Sequence, residues 1–173
     1  MSNKTIIIAE IGVNHNGNVV LAKKLIDLAK KSGANYVKFQ TFKAHNLVCK
    51  NTKAAEYQNR NLEKKDSQYN ILKKLELSEN DYKSLLKYSR KKKIKFLSSP
   101  FDLESLNLLY RLKIFDIKIA SGEITHYIFL KKLAKFAKKI FLSTGMSTIE
   151  EVSKAINILI KNGMPKKDIV VLH

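Results

Sequence analysis

The feature that most constrains this chain is a regular alternation between two hydrophobic periods. Six short runs rich in β-branched residues have strand character, and amphipathic segments with apolar residues at i, i+3, i+4 and i+7 separate them. Strands that alternate with such helices are typical of parallel sheets with right-handed crossovers. We therefore predict an α/β fold of the pattern β(αβ)5. The predicted strands are 5–11, 35–41, 94–99, 115–119, 139–143 and 168–172.

Helix start and stop signals agree with this pattern. Gly33 and Gly163 lie where helices should end, and the spacing from Ser147 to Glu150 is that of a capping box. One connection is unusually long, because an extra segment at about 45–77 lies between the second and third strands. We expect that segment to lie over a functional site. Neither a linker nor a repeat is evident, so we place no domain boundary.

Charge and cysteine content limit the classes of function. The 173 residues include 33 Lys and Arg against 15 Asp and Glu, but only three of the basic residues are Arg. Because phosphate and base recognition favour the guanidinium fork, we interpret most Lys as solvated helix faces and do not expect nucleic acid. One cysteine, Cys49, excludes a disulfide framework. Apolar runs are too short for a membrane span and no secretory signal is evident, so we predict a cytoplasmic location without membrane contact.

Polar residues collect where the predicted strands end, which is where parallel α/β sheets bind ligands. The i, i+2 spacing puts Lys38 and Gln40 on one face of the second strand, and Lys118 lies between two isoleucines of the fourth. A lysine that points into a barrel needs an anion, whereas one at a solvated strand tip does not. Two such lysines beside Ser and Thr hydroxyls predict a pocket for phosphate and carboxylate groups.

Other polar residues leave their roles open. Glu10 and Glu123 are candidate acid/base or hydroxyl-binding groups, or else helix-cap partners. His15 either orients a ligand or closes a turn. Cys49 has no local motif and is interpreted as a bystander. Walker A and Gly-x-Gly-x-x-Gly sequences do not occur, which argues against P-loop and Rossmann cofactor chemistry.

Eight segments of the sequence, taken in order, resemble the N-acetylneuraminate synthase family, which makes sialic acid and bacterial relatives such as legionaminic acid. The resemblance extends from about residue 5 to residue 173, and its features favour the sialic and legionaminic branch over the pseudaminic one. The segments are AEIGVNHNG (9–17), VKFQTFKA (37–44), AEYQ (55–58), KLELS (74–78), SSPFD (98–102), KIASGEIT (118–125), LSTGM (142–146) and VLH (171–173).

The resemblance implies a (β/α)8 barrel of the TIM type. Residues 1–173 would be its N-terminal catalytic portion, truncated to about six strands and five or more helices. The last two barrel strands and an antifreeze-like domain would be absent, which would leave the first and sixth strands with exposed edges. The complete family enzyme is expected to be a homodimer.

The implied reaction is that of a transferase in surface polysaccharide biosynthesis. Phosphoenolpyruvate condenses with N-acetylmannosamine or a related 2-acetamido sugar, giving a nonulosonic acid and phosphate. A divalent metal, manganese or magnesium, is implied, but its ligands lie in the missing part, so the isolated chain is expected to be inactive. The resemblance assigns Lys38, Ser99, Lys118 and Ser121 to phosphoenolpyruvate, Gln40 and Glu123 to the sugar, and a proton-transfer role to Glu10.

Two other functions remain open from the sequence. The charge alone is compatible with a basic α/β module that binds an anion or nucleic acid without catalysis. A Schiff-base aldolase with Lys118 as the nucleophile is also possible, since barrel aldolases place a lysine on a strand. The aldolase leaves the other matched segments unexplained.

Overall fold

The computed structural model describes residues 5–50, 52 and 66–173, and it confirms the predicted α/β pattern. Six parallel strands form one sheet in sequence order, and in the described residues the first and sixth strands are its two edges. The first strand begins three residues later than predicted, because Ile7 bonds to Asn35 through backbone and side-chain groups instead of joining the ladder. The strands are β1 (Ile8–Gly12), β2 (Tyr36–Thr41), β3 (Lys95–Pro100), β4 (Asp116–Ile119), β5 (Lys139–Ser143) and β6 (Ile169–Leu172).

Seven α-helices are seen in the described ranges. The extra segment between β2 and β3 contributes two of them, and the other five connect successive strands. Short 3-10 turns at Ser121–Glu123 and Lys166–Asp168 follow β4 and precede β6. The helices are α1 (Val19–Lys31), α2 (Ala44–Leu47), α3 (Gln68–Leu75), α4 (Glu79–Lys91), α5 (Leu103–Arg111), α6 (Tyr127–Ala134) and α7 (Ile149–Lys161).

The core lies between the outer face of the sheet and the helices. Phe39 packs with Ile26 of α1 and Tyr82 of α4, while Ile117 packs in a second cluster with Phe129 of α6. All five side chains are at most 1% exposed. Strand side chains alternate between faces, so burial of these residues fixes the opposite set toward the inside of the sheet.

The sheet curls into half of a barrel. On its inner face the rings of Tyr36 in β2 and Phe141 in β5 meet edge to face, with centroids 5.7 Å apart. Strands three positions apart can touch in this way only if the sheet bends around its inner side, since neighbouring strands lie about 4.8 Å apart. The inner face is therefore concave.

The capping box predicted at 147–150 is one residue out of register. Thr148 is the N-cap of α7, its hydroxyl accepts from the Glu151 N–H at 3.2 Å, and the Glu151 carboxylate accepts from the Thr148 N–H at 2.8 Å. Ser147 and Glu150 have the same spacing, so the sequence alone does not separate the two solutions.

A buried hydroxyl network holds the end of β2 to α4. Tyr82 donates to the Gln40 carbonyl at 2.8 Å and accepts from the Thr41 hydroxyl at 2.9 Å, and Thr41 lies 2.6 Å from the Ser98 hydroxyl. Burial raises the pKa of Tyr82, so the phenol stays protonated and able to donate. The network fixes the backbone from which Gln40 and Ser99 project.

We expect Tyr82→Phe to lower the free energy of unfolding by about 1–3 kcal/mol, because the Gln40 carbonyl loses a buried donor and the Thr41 hydroxyl keeps only Ser98. Tyr110→Phe is the matched control, since Tyr110 is exposed and should change stability by less than about 0.5 kcal/mol. Urea denaturation of the two variants measures the difference. Equal effects would show that the network does not stabilise the strand end.

Candidate active site

Lys38 is the buried cation at the centre of the inner face. It is 7% exposed, and its register partner in β1 is Glu10. The Lys38 Nζ lies 2.8 Å from Glu10 Oε2 and 3.3 Å from the Ser99 hydroxyl of β3. The anion that a buried lysine requires is thus supplied by the chain itself. Because the Glu10 side chain is 52% exposed, the pair opens toward solvent.

Lys118 of β4 adds a second amine to the same end of the sheet. Burial lowers its pKa, the positive charge of Lys38 lowers it further, and the negative charge of Glu10 acts in the opposite direction. No described carboxylate lies within 4.0 Å of Lys118. Two amines with one carboxylate leave a net positive charge at this end, which favours binding of an anion.

Gln40 stands beside these groups and borders a small pocket. Its register partner is Ser99, which is 1% exposed. Leu47 of α2 and Leu72 of α3 line the pocket together with the polar Gln68, so the described part of the long β2–β3 connection borders it. The pocket has a volume of about 320 Å³ and is lined by Gln40, Phe42, Leu47, Val48, Gln68, Leu72 and Phe101.

Two carboxylates that were not among the predicted site residues, the buried Asp102 and the largely buried Glu76, fix this connection. Asp102 caps α5 and also accepts from the Lys43 N–H at 2.9 Å, and Glu76 accepts from the Ala44 N–H at 2.8 Å. Their presence in the matched segments 98–102 and 74–78 is explained by these contacts. Asp at an N-cap position was the one available signal for Asp102.

Ser121 is held against the loop that follows β5. Gly145 has a φ of +52°, and a Cβ built on it would lie 2.5 Å from Ser121 Cβ and 2.6 Å from Ser121 Oγ. A side chain at residue 145 would therefore displace the Ser121 hydroxyl. Gly145, the glycine of the Ser-Thr-Gly segment at 143–145, thus leaves room for the Ser121 side chain. The sequence alone did not predict this contact.

Glu123 pairs with a histidine of its own segment in this structure. Its Oε2 lies 3.2 Å from His126 Nδ1, one helical turn along the same segment. The described contacts of Ser121 and Glu123 do not reach Lys38, Ser99 or Glu10. The structure therefore brings Glu10, Lys38, Gln40 and Ser99 together, and places Ser121 and Glu123 at the neighbouring strand end.

His15 closes a turn. Its ring is buried and stacks on Phe39 on the outer face of the sheet, with centroids 5.9 Å apart, and its Nδ1 accepts from the Gly17 N–H at 3.0 Å. Burial lowers its pKa, so the neutral ring is favoured. Of the two roles left open by the sequence, turn closure is the one that the structure shows.

The donor groups of the described residues do not fit the metal implied by the resemblance. No group of three or more His, Cys, Asp and Glu side chains that could hold a metal ion is found in this part of the chain. Glu10 is paired with Lys38, and Glu123 faces His126. The described residues by themselves do not assemble a metal site.

The remaining predictions concern the segment 55–58 and membrane contact. The matched segment 55–58 lies outside the described residues. Within the described ranges no helix is long and apolar enough to cross a membrane.

Comparison with known proteins identifies relatives over nearly all of the chain. A family model described as the NeuB family matches residues 25–173. N,N'-diacetyllegionaminic acid synthase of Campylobacter jejuni is 51% identical over 170 residues, covering 98% of this chain and 51% of that protein. The synthase of the same name from Legionella pneumophila is 47% identical over 151 residues, covering 87% of this chain and 42% of that protein.

Solved structures agree with these sequence relatives. The N-acetylneuraminic acid synthetase of Leptospira borgpetersenii, crystallised with citrate, superposes with a TM-score of 0.81 at 32% identity, covering 99% of this chain and 54% of that one. A truncated 3-deoxy-D-arabino-heptulosonate 7-phosphate synthase of Thermotoga maritima, at 14% identity and a TM-score of 0.67, shares the fold. The chain spans about half the length of the curated relatives it matches.

The contact between Gly145 and Ser121 predicts an asymmetry between two nearby glycines. We expect Gly145→Ala to lower the free energy of unfolding by about 1–3 kcal/mol, through its positive φ and the clash with Ser121. Gly122→Ala should change stability by less than about 0.5 kcal/mol, because nothing lies within 4 Å of the added Cβ. Urea denaturation of both variants makes the comparison. If Gly145→Ala is as stable as Gly122→Ala, the contact does not constrain Ser121.

Proposed function

The chain belongs to the NeuB family, and we propose that it forms the phosphoenolpyruvate-binding part of a synthase for a nonulosonic acid of the sialic type. The second substrate is a 2-acetamido sugar such as N-acetylmannosamine. This proposal concerns the whole protein, because the chain spans only about half the length of its relatives. We further propose that the whole protein is a cytoplasmic homodimer, as the family resemblance implies.

The observation that carries the proposal is the pair of inner-face amines. Lys38 and Lys118 project from β2 and β4 at the carboxyl ends of the strands, with the buried Ser99 hydroxyl between them in the sheet order. Phosphoenolpyruvate carries its phosphate and its carboxylate on the same carbon, C2. Two cations and a hydroxyl donor match such a ligand better than they match a neutral one.

Glu10 provides the counter-charge in the absence of substrate. Its carboxylate lies 2.8 Å from Lys38 and is half exposed, so an incoming anion can take its place at the amine without a large change in the fold. The released carboxylate would then stand beside the reacting carbons. This position suits a group that accepts or donates a proton during the reaction.

The proposed reaction forms one carbon–carbon bond and releases phosphate. C3 of phosphoenolpyruvate attacks the aldehyde carbon of the open-chain sugar, whose oxygen takes up a proton. Water adds at C2 and loses one proton, which leaves a tetrahedral carbon with a hydroxyl and the phosphate. The C2–O bond to phosphate then breaks as the hydroxyl loses its proton and forms the C2 carbonyl, and the departing phosphate takes up a proton. Lys38, Lys118, Ser99 and Ser121 hold the phosphate and carboxylate, and Glu10 moves protons near C2 and C3.

Gln40 and Glu123 are proposed to contact the sugar. Gln40 borders the apolar pocket closed by α2 and α3, and such a pocket suits the methyl group of an acetamido substituent. Glu123 would have to turn from His126 to accept a sugar hydroxyl. The relatives named as diacetyllegionaminic acid synthases support a sugar of this class.

One observation favours a Schiff-base reaction as the second candidate. The lowered pKa of Lys118 is a property that nucleophilic lysines share. Borohydride reduction in the presence of pyruvate would trap an adduct on Lys118, detected by mass spectrometry, if this candidate is right. The amine pair with Ser99 favours anion binding instead, so we expect no adduct.

Loss of the two amines should abolish binding of phosphoenolpyruvate. We expect Lys38→Gln and Lys118→Gln each to weaken binding by about tenfold or more, since each removes a charge-assisted hydrogen bond to the ligand. Lys131→Gln is the control for each variant, because Lys131 is exposed on α6 and its replacement removes the same single charge. Isothermal titration calorimetry measures the affinity. Equal weakening in the control would mean that net charge alone attracts the ligand.

Lys118 should also lower the stability of the ligand-free chain. Its pKa in the folded state is below the ordinary 10.5, so the unfolded chain binds more protons between the two values. The stability of the wild-type chain therefore rises as pH increases through this window, and the penalty is present in full below it. We expect Lys118→Met to unfold at higher urea at pH 7 and to lose this part of the pH dependence, while phosphoenolpyruvate binding weakens by about tenfold or more. A variant that is less stable than the wild type at pH 7 would contradict this account.

A further inference from the structure

A second cationic site lies at the opposite end of the sheet from Lys38. A cavity of about 450 Å³ opens there beside β3 and β4. In the described residues these two strands are paired only at Ser98 and Ile117. The end of α4, the turn after α5 and the start of β5 complete its walls. The lining residues are Leu86, Ser89, Arg90, Lys93, Ile94, Lys95, Phe96, Lys113, Ile114, Phe115, Asp116 and Lys138.

The charge of this cavity is strongly unbalanced. Five of its lining residues are cationic and one, Asp116, is acidic. Asp116 already accepts from the Tyr36 hydroxyl at 2.9 Å. Described carboxylates come within 4.0 Å of none of the five cations. Cations gathered around a concave surface produce a positive potential that favours an anionic ligand.

Two of the lysines occupy backbone positions that usually belong to glycine. Lys93 and Lys113 follow the C-caps of α4 and α5 with φ of 53° and 57°. At the corresponding positions after α1 and α7 the chain has Gly33 and Gly163. A left-handed conformation is unfavourable for a residue with a Cβ, so glycine is the less strained choice. Lysine at the two positions beside the cavity therefore carries a backbone cost that glycine would avoid.

The cavity wall also contains a hydroxyl without a partner. Ser89 of α4 is 1% exposed, and its Oγ makes no hydrogen bond to any described group. Buried hydroxyls are normally satisfied. A change of side-chain rotamer would let Ser89 donate to a ligand oxygen that reaches the wall between α4 and β3.

Aromatic rings orient two of the remaining amines. Lys95 Nζ lies 5.2 Å from the centroid of the Tyr36 ring, and Lys138 Nζ lies 5.2 Å from the centroid of the Phe115 ring. Cation–π contacts of this length hold an ammonium group without neutralising its charge. Both amines therefore remain able to pair with a ligand.

We propose that this cavity binds a phosphorylated small molecule. The volume falls within the range of small-molecule pockets, and a phosphate group offers several acceptor oxygens to converging donors. The site is separate from the proposed phosphoenolpyruvate site, because the two lie at opposite ends of the parallel strands. It would give the protein a place to bind a phosphorylated metabolite that is not the substrate.

The proposal is tested by titrating the ¹⁵N-labelled chain with inorganic phosphate and following amide shifts. We expect saturable shifts in residues 89–96 and 113–116, which report on this cavity, separately from any shifts in residues 38–40 and 118–123, which report on the proposed active site. Sodium chloride at equal ionic strength should not reproduce the cavity shifts. Shifts confined to the active-site residues, or equal shifts with chloride, would overturn the proposal.

The decisive variant is Lys93→Gly with Lys113→Gly. We expect about tenfold weaker phosphate binding at the cavity, together with an unchanged or higher Tm, because glycine relieves the left-handed strain. Lys131→Gln with Lys132→Gln serves as the charge-matched control and should bind phosphate as the wild type does. Arg90→Gln, which leaves the backbone turns intact, should also weaken cavity binding. Wild-type affinity in both the glycine variant and Arg90→Gln would show that the cavity is not the site.

Discussion

The buried amine of Lys38 is the interaction on which the arrangement of the site depends. The side chains on either side of it in β2, Val37 and Phe39, are fully buried against the helices, so alternation along the strand forces Lys38 to the inner face. An isolated ammonium group there would be costly. Glu10 from β1 and the Ser99 hydroxyl from β3 remove that cost, and they thereby link three strands at the end where a ligand would enter.

The electrostatics at the same end of the sheet favour the ligand-bound site over the empty site. Lys118 carries a depressed pKa because it is partly buried and close to Lys38, so its positive charge is held against an electrostatic penalty. An anion that binds both amines would relieve the penalty. The proposed active site therefore lowers the stability of the ligand-free chain and raises its affinity for an anion, as functional sites often do.

Much of the fold followed from periodicity, but contacts between distant segments did not. The period of two along β2 put Lys38 and Gln40 on one face, and the alternation of strands and helices predicted the parallel α/β sheet. The Glu10 pairing depends on the register of β1 against β2, which shifts between Glu10 and Gly12, and no local pattern encodes that shift. The packing of Gly145 against Ser121 joins two loops 24 residues apart in the sequence numbering, so it was likewise out of reach of local rules.

The central claim is that the amines of Lys38 and Lys118 together bind phosphoenolpyruvate. The most direct measurement is the NMR titration of the Lys118 side chain, through its ¹³Cε resonance, with and without phosphoenolpyruvate. We predict a pKa below the ordinary lysine value in the free chain and an upward shift on binding, because a bound anion favours the charged amine. A Lys118 pKa that does not change at saturating phosphoenolpyruvate would contradict the account.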